Sequence, residues 1–352
     1  MKQLDNQTKN KRIAYWLLIG VFMIMIQTIL GGVTRLTGSG LSMTEWKPIM
    51  GFIPPLNETD WQKAFAGYQN IAQYKYVNNH FSIDDFKFIF FWEWFHRTWA
   101  RLLGVVFAIP FIYFIYKKYF AKAMILPLVI LFILGGLQGL IGWIMVKSGL
   151  NDTDMYVSHI RLAIHFVSAL VLLCFTLWFA LKLLVPEEKR VANSSLKYLI
   201  LSIIGLLTIQ LFYGAFLAGM HGAGAAPTWP TINGYWIPPL NGQGGWVSNP
   251  INVQFVHRTL AYLLFTLIVI AFFKLKKINR ASGNNLLKRT NGWTLGLVSL
   301  QVYLGIVTVI TSPFIIPGIF KSYETLALTH QLVAMCLLVS LFVTNYLVKL
   351  RK

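Results

Sequence analysis

Ile13-Ala-Tyr-Trp-Leu-Leu-Ile-Gly-Val-Phe-Met-Ile-Met-Ile-Gln-Thr-Ile-Leu-Gly-Gly-Val33 carries no charged side chain. A helix rising 1.5 Å per residue needs about 20 predominantly apolar residues to cross a bilayer, and this run supplies them. Seven further stretches read the same way, roughly 88 to 116, 124 to 146, 157 to 184, 196 to 218, 251 to 273, 290 to 312 and 323 to 348. The expected fold class is an all-α integral membrane protein with eight transmembrane helices. Composition agrees: 56% of the 352 residues are hydrophobic and 12% charged. With a mean hydropathy of +0.59, the chain is too apolar for a soluble fold of this length.

The formal net charge of +19 would suggest nucleic acid in a soluble protein. Here the cations gather in short connections between apolar runs, so no nucleic-acid partner is expected and a lipid bilayer is. Lys2, Lys9, Lys11 and Arg12 precede the first span, and Lys117, Lys118 and Lys122 follow the second. Lys182, Lys189, Arg190 and Lys197 join the fourth to the fifth; Lys274, Lys276, Lys277, Arg280, Lys288 and Arg289 join the sixth to the seventh; Lys349, Arg351 and Lys352 end the chain. All fall on one side of an eight-span chain, so both termini are expected in the cytoplasm. Two long loops, about 34 to 87 and 219 to 250, occupy the outer side. Met1 to Arg12 has neither signal-peptide nor transit-peptide character, so the first span serves as its own insertion signal. Cys174 and Cys336 both lie inside apolar runs, and no disulfide framework or thiolate metal site follows from them.

The halves repeat. Gln27-Thr-Ile-Leu-Gly31 answers to Gln210-Leu-Phe-Tyr-Gly214 at an offset of 183, and Gly38-Ser-Gly40, Trp46 and Ile53-Pro-Pro55 answer to Gly222-Ala-Gly224, Trp229 and Ile237-Pro-Pro239. His96-Arg-Thr-Trp-Ala100 matches His257-Arg-Thr-Leu-Ala261 at 161, Gln138-Gly-Leu-Ile-Gly142 matches Gln301-Val-Tyr-Leu-Gly305 at 163, and His165 matches His330 at 165. The fall in offset assigns an extra segment of about 22 residues to the first half, within the charged, aromatic stretch Asn57 to Phe86. The architecture expected is two tandem pseudo-symmetric four-helix bundles, 1–190 and 191–352, related by an axis along the membrane normal. Gln-x-x-x-Gly recurs on all four odd spans, which suggests an older two-helix unit. Simple helix packing through small residues explains the pattern as well, and is the preferred reading at this point.

Four of the seven histidines, His96, His165, His257 and His330, sit inside spans, one on each even-numbered helix. Ionisable groups inside a membrane are costly and mark function. Each lies about 6 to 9 residues from the outer end of its helix, or ~9 to 13 Å at 1.5 Å per residue, so all four share one level. Two imidazoles facing each other at equal depth are what six-coordinate haem needs. The pairs expected are His96 with His165 and His257 with His330, toward the outer face. Four unrelated buried histidines, each satisfied locally, are the plainer alternative, and zinc is disfavoured by the absence of accompanying cysteine or second carboxylate. His80 and His221 in loops and His159 at the mouth of the fourth helix read as non-ligands.

Glu93 is the one carboxylate well inside a span, three residues before His96 and on its helical face. Beside a haem edge it could gate protons or stabilise a cationic intermediate. The second half has Gln254 there, which cannot ionise, so the first half reads as the reactive one. The structural alternative pairs Glu93 with Arg97 or Arg101 as a buried salt bridge. Arg97, Arg258, Arg35 and Arg161 are placed to meet haem propionates through a bidentate fork, although snorkelling to headgroups would leave the same pattern. The turn-rich segment Thr34 to Pro55 and its uncharged counterpart are expected to cap the haem pockets. It is no phosphate cradle, since no strand precedes it and no Gly-Lys-Ser/Thr follows.

Gly31-Gly-Val-Thr-Arg-Leu-Thr-Gly-Ser-Gly-Leu-Ser-Met-Thr-Glu-Trp-Lys-Pro48, Phe91-Trp-Glu-Trp-Phe-His-Arg-Thr-Trp-Ala-Arg101, His165, Val256-His-Arg258 and Thr329-His-Gln331 together resemble the haem A synthase family, in its Gram-negative and mitochondrial branch. The resemblance spans essentially the whole chain. It implies oxidation of one ring methyl of haem O to a formyl group through successive hydroxylations, giving haem A for cytochrome oxidase. It further implies that His96 and His165 bind haem O as substrate, that His257 and His330 bind a resident haem b, and that Glu93 is the catalytic glutamate. A haem O synthase is the partner expected upstream. The cysteine pair found in the first outer loop of the Gram-positive branch is missing, so no thiol relay is expected there.

Two other classes stay open from the residues alone. A di-haem b-type membrane electron-transfer protein would hold two haems without substrate chemistry, although such proteins usually place haems on opposite sides of the bilayer. A haem exporter or chaperone would not need Glu93.

Overall fold

The computed structural model describes residues 2–45, 50–240, 242–315 and 320–351. Trp46, paired with Trp229 in the repeat, and Lys47 and Pro48 of the first family motif lie outside the described residues. The helices are α1 (Lys2–Leu36), α2 (Glu58–Gln69), α3 (Ala72–Tyr76), α4 (Ile83–Tyr116), α5 (Lys122–Lys147), α6 (His159–Leu184), α7 (Ser194–Gly219), α8 (Gly245–Ser248), α9 (Pro250–Ser282), α10 (Asn285–Thr311) and α11 (Ser322–Leu347). All but α2, α3 and α8 are long and apolar enough to cross a membrane, which makes eight candidate spans among the described residues. Each coincides with one of the eight apolar runs, and the molecule is an all-α integral membrane protein.

Several helices outrun their apolar windows. α1 begins at Lys2 rather than near 13, and α9 continues to Ser282 rather than 273, because Lys, Arg, Gln and Asn side chains can continue a helix into water at small cost. Capping sets the starts. Ser82 and Asp85 form a reciprocal capping box at α4, with Asp84 and Asp85 in its first turn, so the exposed N–H groups and the helix dipole are both met. Asn249 caps α9 with Pro250 at its first position, and Gly283, at φ 62°, ends it, a left-handed conformation that glycine adopts without a Cβ clash.

The segment expected as an extra loop is not irregular. Asn57 Oδ1 accepts the N–H of Asp60 at 2.9 Å and starts α2, and the chain turns at once into α3. These short helices close a core of Leu41, Tyr68, Ile71, Phe86, Ile89 and Phe90 over the start of α4. Trp61 stands edge-on to Phe90 at 5.1 Å. Ala72 N–H donates to Asn151 O at 2.9 Å and Lys75 pairs with Asp152 at 3.0 Å, tying α3 to the connection between α5 and α6.

The chain gathers into two compact units, whose boundaries fall within α1 and α6. Ile19–Leu172 make the body of one; Leu173–Ile315 with the last helix and the start of α1 make the other. In the second, Val191–Ala192 (β1) pairs in parallel with Val348–Lys349 (β2), the only strands among the described residues. Arg190 Nε donates to Tyr346 O at 2.9 Å and Lys197 Nζ to Asn345 O at 2.6 Å. Two cations thereby satisfy carbonyls that the end of α11 leaves open.

Candidate functional site

Each intramembrane histidine meets a glutamine and a glycine from the long helix before it in the chain. In the first unit Gln27 Nε2 on α1 lies 3.2 Å from His96 Nδ1 and 3.1 Å from Nε2 on α4, and donates to His96 O at 3.2 Å. A Cβ placed on Gly31, one turn along α1, would sit 3.2 Å from His96 Cε1. Gln138 Nε2 on α5 lies 3.1 Å from His165 Nδ1 on α6 and donates to His165 O at 2.7 Å. A Cβ on Gly142 would come within 2.8 Å of His165 Cε1.

The second unit repeats the arrangement. Gln210 on α7 faces His257 Nε2 on α9 at 3.4 Å, and Gln301 on α10 faces His330 Nε2 on α11 at 3.0 Å. Cβ atoms on Gly214 and Gly305 would each lie 3.1 Å from the facing Cε1. His80 and His221 are exposed in the connecting loops, and His159 opens α6, all three outside these clusters.

Among the described residues no three His, Cys, Asp or Glu side chains converge as a metal cage. A metal held by these histidine pairs must therefore bring most of its own ligands, as an iron porphyrin does. The side chains fit that group. His257 Nδ1 and His330 Nδ1 are buried with no hydrogen-bond partner, a costly state for an imidazole nitrogen unless something else takes the lone pair. The glycines leave the ring edges room that any larger residue would fill.

Glu93 is 2% exposed on α4. Its Oε2 accepts Ser42 Oγ–H at 2.7 Å and Met43 N–H at 2.8 Å, and its Oε1 accepts from Arg97 Nη2. The buried ion pair expected as the structural alternative is thus present, with Arg97 as the partner, and it coexists with a position one turn from His96. In the second unit Gln254, also 2% exposed, does corresponding work with opposite polarity. Its Nε2 donates to Gly222 O and Ala223 O at 2.9 and 3.1 Å, and its Oε1 accepts from Arg258 Nη2. Both side chains strap the loop that follows the preceding long helix onto the histidine-bearing helix.

Arg258 spends its terminal nitrogens on that loop, donating to Thr228 O at 2.8 Å, Thr231 O at 3.2 Å and Ala226 O at 2.7 Å. Arg97 reaches Met43 O at 3.4 Å. Arg35 closes the last turn of α1, and Arg161 donates to Ile144 O at 3.0 Å. Lys147, Ser148, Asn151, Asp154, Tyr156, Ser158 and Arg161 line a cavity of about 580 Å³ one turn beyond His165.

A family model described as cytochrome oxidase assembly protein, COX15-CtaA, matches residues 14–342. The chain belongs to the COX15-CtaA family. Relatives named "Heme A synthase" cover it broadly: that of Flavobacterium psychrophilum is 39% identical over 86% of this chain and 91% of its own length. That of Flavobacterium johnsoniae is 37% identical over 94% and 96%, and that of Nitrosomonas eutropha 39% identical over 88% of each. The matched span of this COX15-CtaA member includes every histidine, glutamine and arginine of the two clusters.

Reading the residues alone missed the glutamines and glycines as part of the site. Gln-x-x-x-Gly on four helices was visible, but packing glycines produce the same string; only the facing histidine separates the two meanings.

Proposed function

We propose that this chain is a haem A synthase: a membrane-bound oxidoreductase that oxidises a ring methyl of haem O to a formyl group, giving haem A for cytochrome oxidase. What carries the reading is the pairing of two equivalent histidine clusters with a single carboxylate. His96 with His165 and His257 with His330 have the same glutamine and glycine neighbours, but only the first pair has Glu93 beside it. Relatives named for this activity cover nearly the whole chain.

In this reading His96 and His165 hold haem O, the substrate, and His257 and His330 hold a resident haem b. Haem b supplies one-electron transfer when bound. Ser42, Met43 and Arg97 all donate to the oxygens of Glu93 and fix its carboxyl group at the N-terminal site. A carboxylate fixed there, in low dielectric, stabilises positive charge developing at the substrate far more than it would in water. Gln254 offers a neutral amide at the second site, which suits a haem that only passes electrons. Arg35, Arg97 and Arg258 would supply positive charge for the haem propionates, Arg258 while also holding the loop at Ala226, Thr228 and Thr231. The halves 1–190 and 191–352 form tandem four-helix bundles, a division supported by the matched clusters. In this reading both termini are cytoplasmic and the haem sites lie toward the outer face of the bacterial inner membrane, a topology that the basic connections support. A haem O synthase delivers the substrate.

Co-expression with a haem O synthase, followed by extraction and chromatography of the haems, tests the activity. Hydroxylated and formyl haems above the level of cells lacking this chain are expected. Two retained haems b with no such product would instead mark a di-haem electron carrier and overturn the proposal.

A further inference from the structure

The four Gln-x-x-x-Gly segments can serve close helix packing or make room for an imidazole, and the distances distinguish these uses. At Gly31, Gly142, Gly214 and Gly305 the nearest atoms that an added Cβ would meet all belong to the facing histidine ring, the first at 3.2, 2.8, 3.1 and 3.1 Å. Other glycines of the same helices, Gly135, Gly136 and Gly139 on α5, Gly205 on α7, and Gly292 and Gly296 on α10, would meet nothing within 4 Å. A glycine used for helix packing would meet backbone or varied side chains of the neighbour. These four meet one ring each.

The glutamine amides differ between the clusters. Gln138 is tied at both ends: Ser168 Oγ donates to its Oε1 at 2.7 Å, and its Nε2 donates to His165 O at 2.7 Å. Gln210 and Gln301 have no such ties, and their Oε1 atoms are buried without a partner. Half a turn of either amide about its last bond brings this oxygen to the ring nitrogen it faces. The ring can then donate an N–H to the glutamine and leave its other nitrogen for iron, which satisfies both orphaned groups together.

We propose that each Gln-x-x-x-Gly segment is a seat that fixes the rotation of one haem-ligand imidazole, and that Gln210 and Gln301 are positioning residues which accept the N–H of His257 and His330. The inference rests on the haem-ligand reading above. Glycine sets how closely the ring approaches its neighbouring helix, and glutamine sets which way the ring turns. An acceptor on the outer nitrogen makes the imidazole a stronger donor to iron and favours the oxidised state. The tied Gln138 offers His165 no comparable acceptor, so the two haem sites have unlike surroundings despite equivalent ligands.

The test uses the full chain, purified with its haem b, as Gln301→Leu, Gln301→Glu, Gly305→Ala and, for control, Gly296→Ala. Midpoint potential and the ferric electron paramagnetic resonance spectrum are read at measured haem content. Gln301→Leu should raise the midpoint and Gln301→Glu should lower it. Gly305→Ala should shift the low-spin signal that reports ligand-plane orientation, whereas Gly296→Ala should leave it in place. If the folded Leu variant loses its haem, recovery in the Glu variant supports the proposal and continued loss counts against it. Midpoints unchanged in both glutamine variants at full haem content would overturn it. The underlying reading fails separately: an intact haem spectrum in His330→Ala would remove the ligand role, whatever the glutamine variants do.

Discussion

Glu93 and Arg97 form a buried pair on one helical turn, with side-chain exposures of 3% and 17%. Removing one charge of such a pair is far worse than removing both, because the survivor keeps its desolvation cost. Arg97→Leu is therefore expected to cost about 3–5 kcal/mol, seen as a lowered unfolding temperature in detergent. Glu93→Gln is the milder change: its one oxygen can keep the arginine bond, as Gln254 Oε1 does with Arg258, although its amide nitrogen cannot accept the Met43 N–H. We expect Glu93→Gln to fold and bind haem at wild-type levels while product formation falls by at least tenfold, measured by extracted haems. Loss of haem together with product would assign Glu93 to structure alone. At this scale the histidines and the Glu93/Gln254 contrast were legible, because an ionisable residue in an apolar run stands out against its neighbours. Their glutamine partners were not, because a glutamine in a span carries no sign of which ring it faces.

The short helices α2 and α3 show what an apolar-window reading overlooks. Their sequence is charged and aromatic, with no run near the ~20 residues a span requires, so the stretch registers only as an insertion. Asn57 capping and the alternation of Trp61, Phe65 and Tyr68 against Phe86 make it a packed element. Tyr68 is fully buried; its hydroxyl donates to Gln73 Oε1 at 3.0 Å and accepts from Asn78 Nδ2 at 2.8 Å. Burial pushes its phenol up to about 12, against the opposing pull of the Asn78 bond. The neutral form is favoured in the fold, so the contribution of Tyr68 is complete below its ordinary value near 10 and is lost as pH rises toward 12. Hydrogen exchange across 57–81 should quicken over that interval, and Tyr68→Phe should flatten the dependence. Tyr68→Ala is expected to cost the same region about 3–5 kcal/mol, leaving exchange in α10 and α11 unaltered. Uniform protection in all three proteins would contradict the packed-cap account.

For the whole molecule, eight candidate spans among the described residues and the clustering of cations predict that residues 190 and 351 share one side of the membrane. Reporter fusions read this directly: a fluorescent protein active only in the cytoplasm should light up after residue 351 and after 190, whereas a phosphatase active only outside should report from the loop near 235. The reverse pattern would invert the haem sites along with the chain. The number and order of spans were the most legible features of the sequence, because hydrocarbon thickness imposes a length that few other pressures imitate. The assembly of the histidine clusters depended on side-chain rotation between helices distant in sequence, which periodicity does not encode.

The account depends most directly on His257 and His330 as axial ligands of one haem. The deciding measurement is the reduced-minus-oxidised optical spectrum of purified His257→Ala and His330→Ala, with His159→Ala and His221→Ala prepared alongside. Loss or conversion of the low-spin b-type bands in the first two and their retention in the last two is the predicted result. An unchanged spectrum in either His257→Ala or His330→Ala would contradict it.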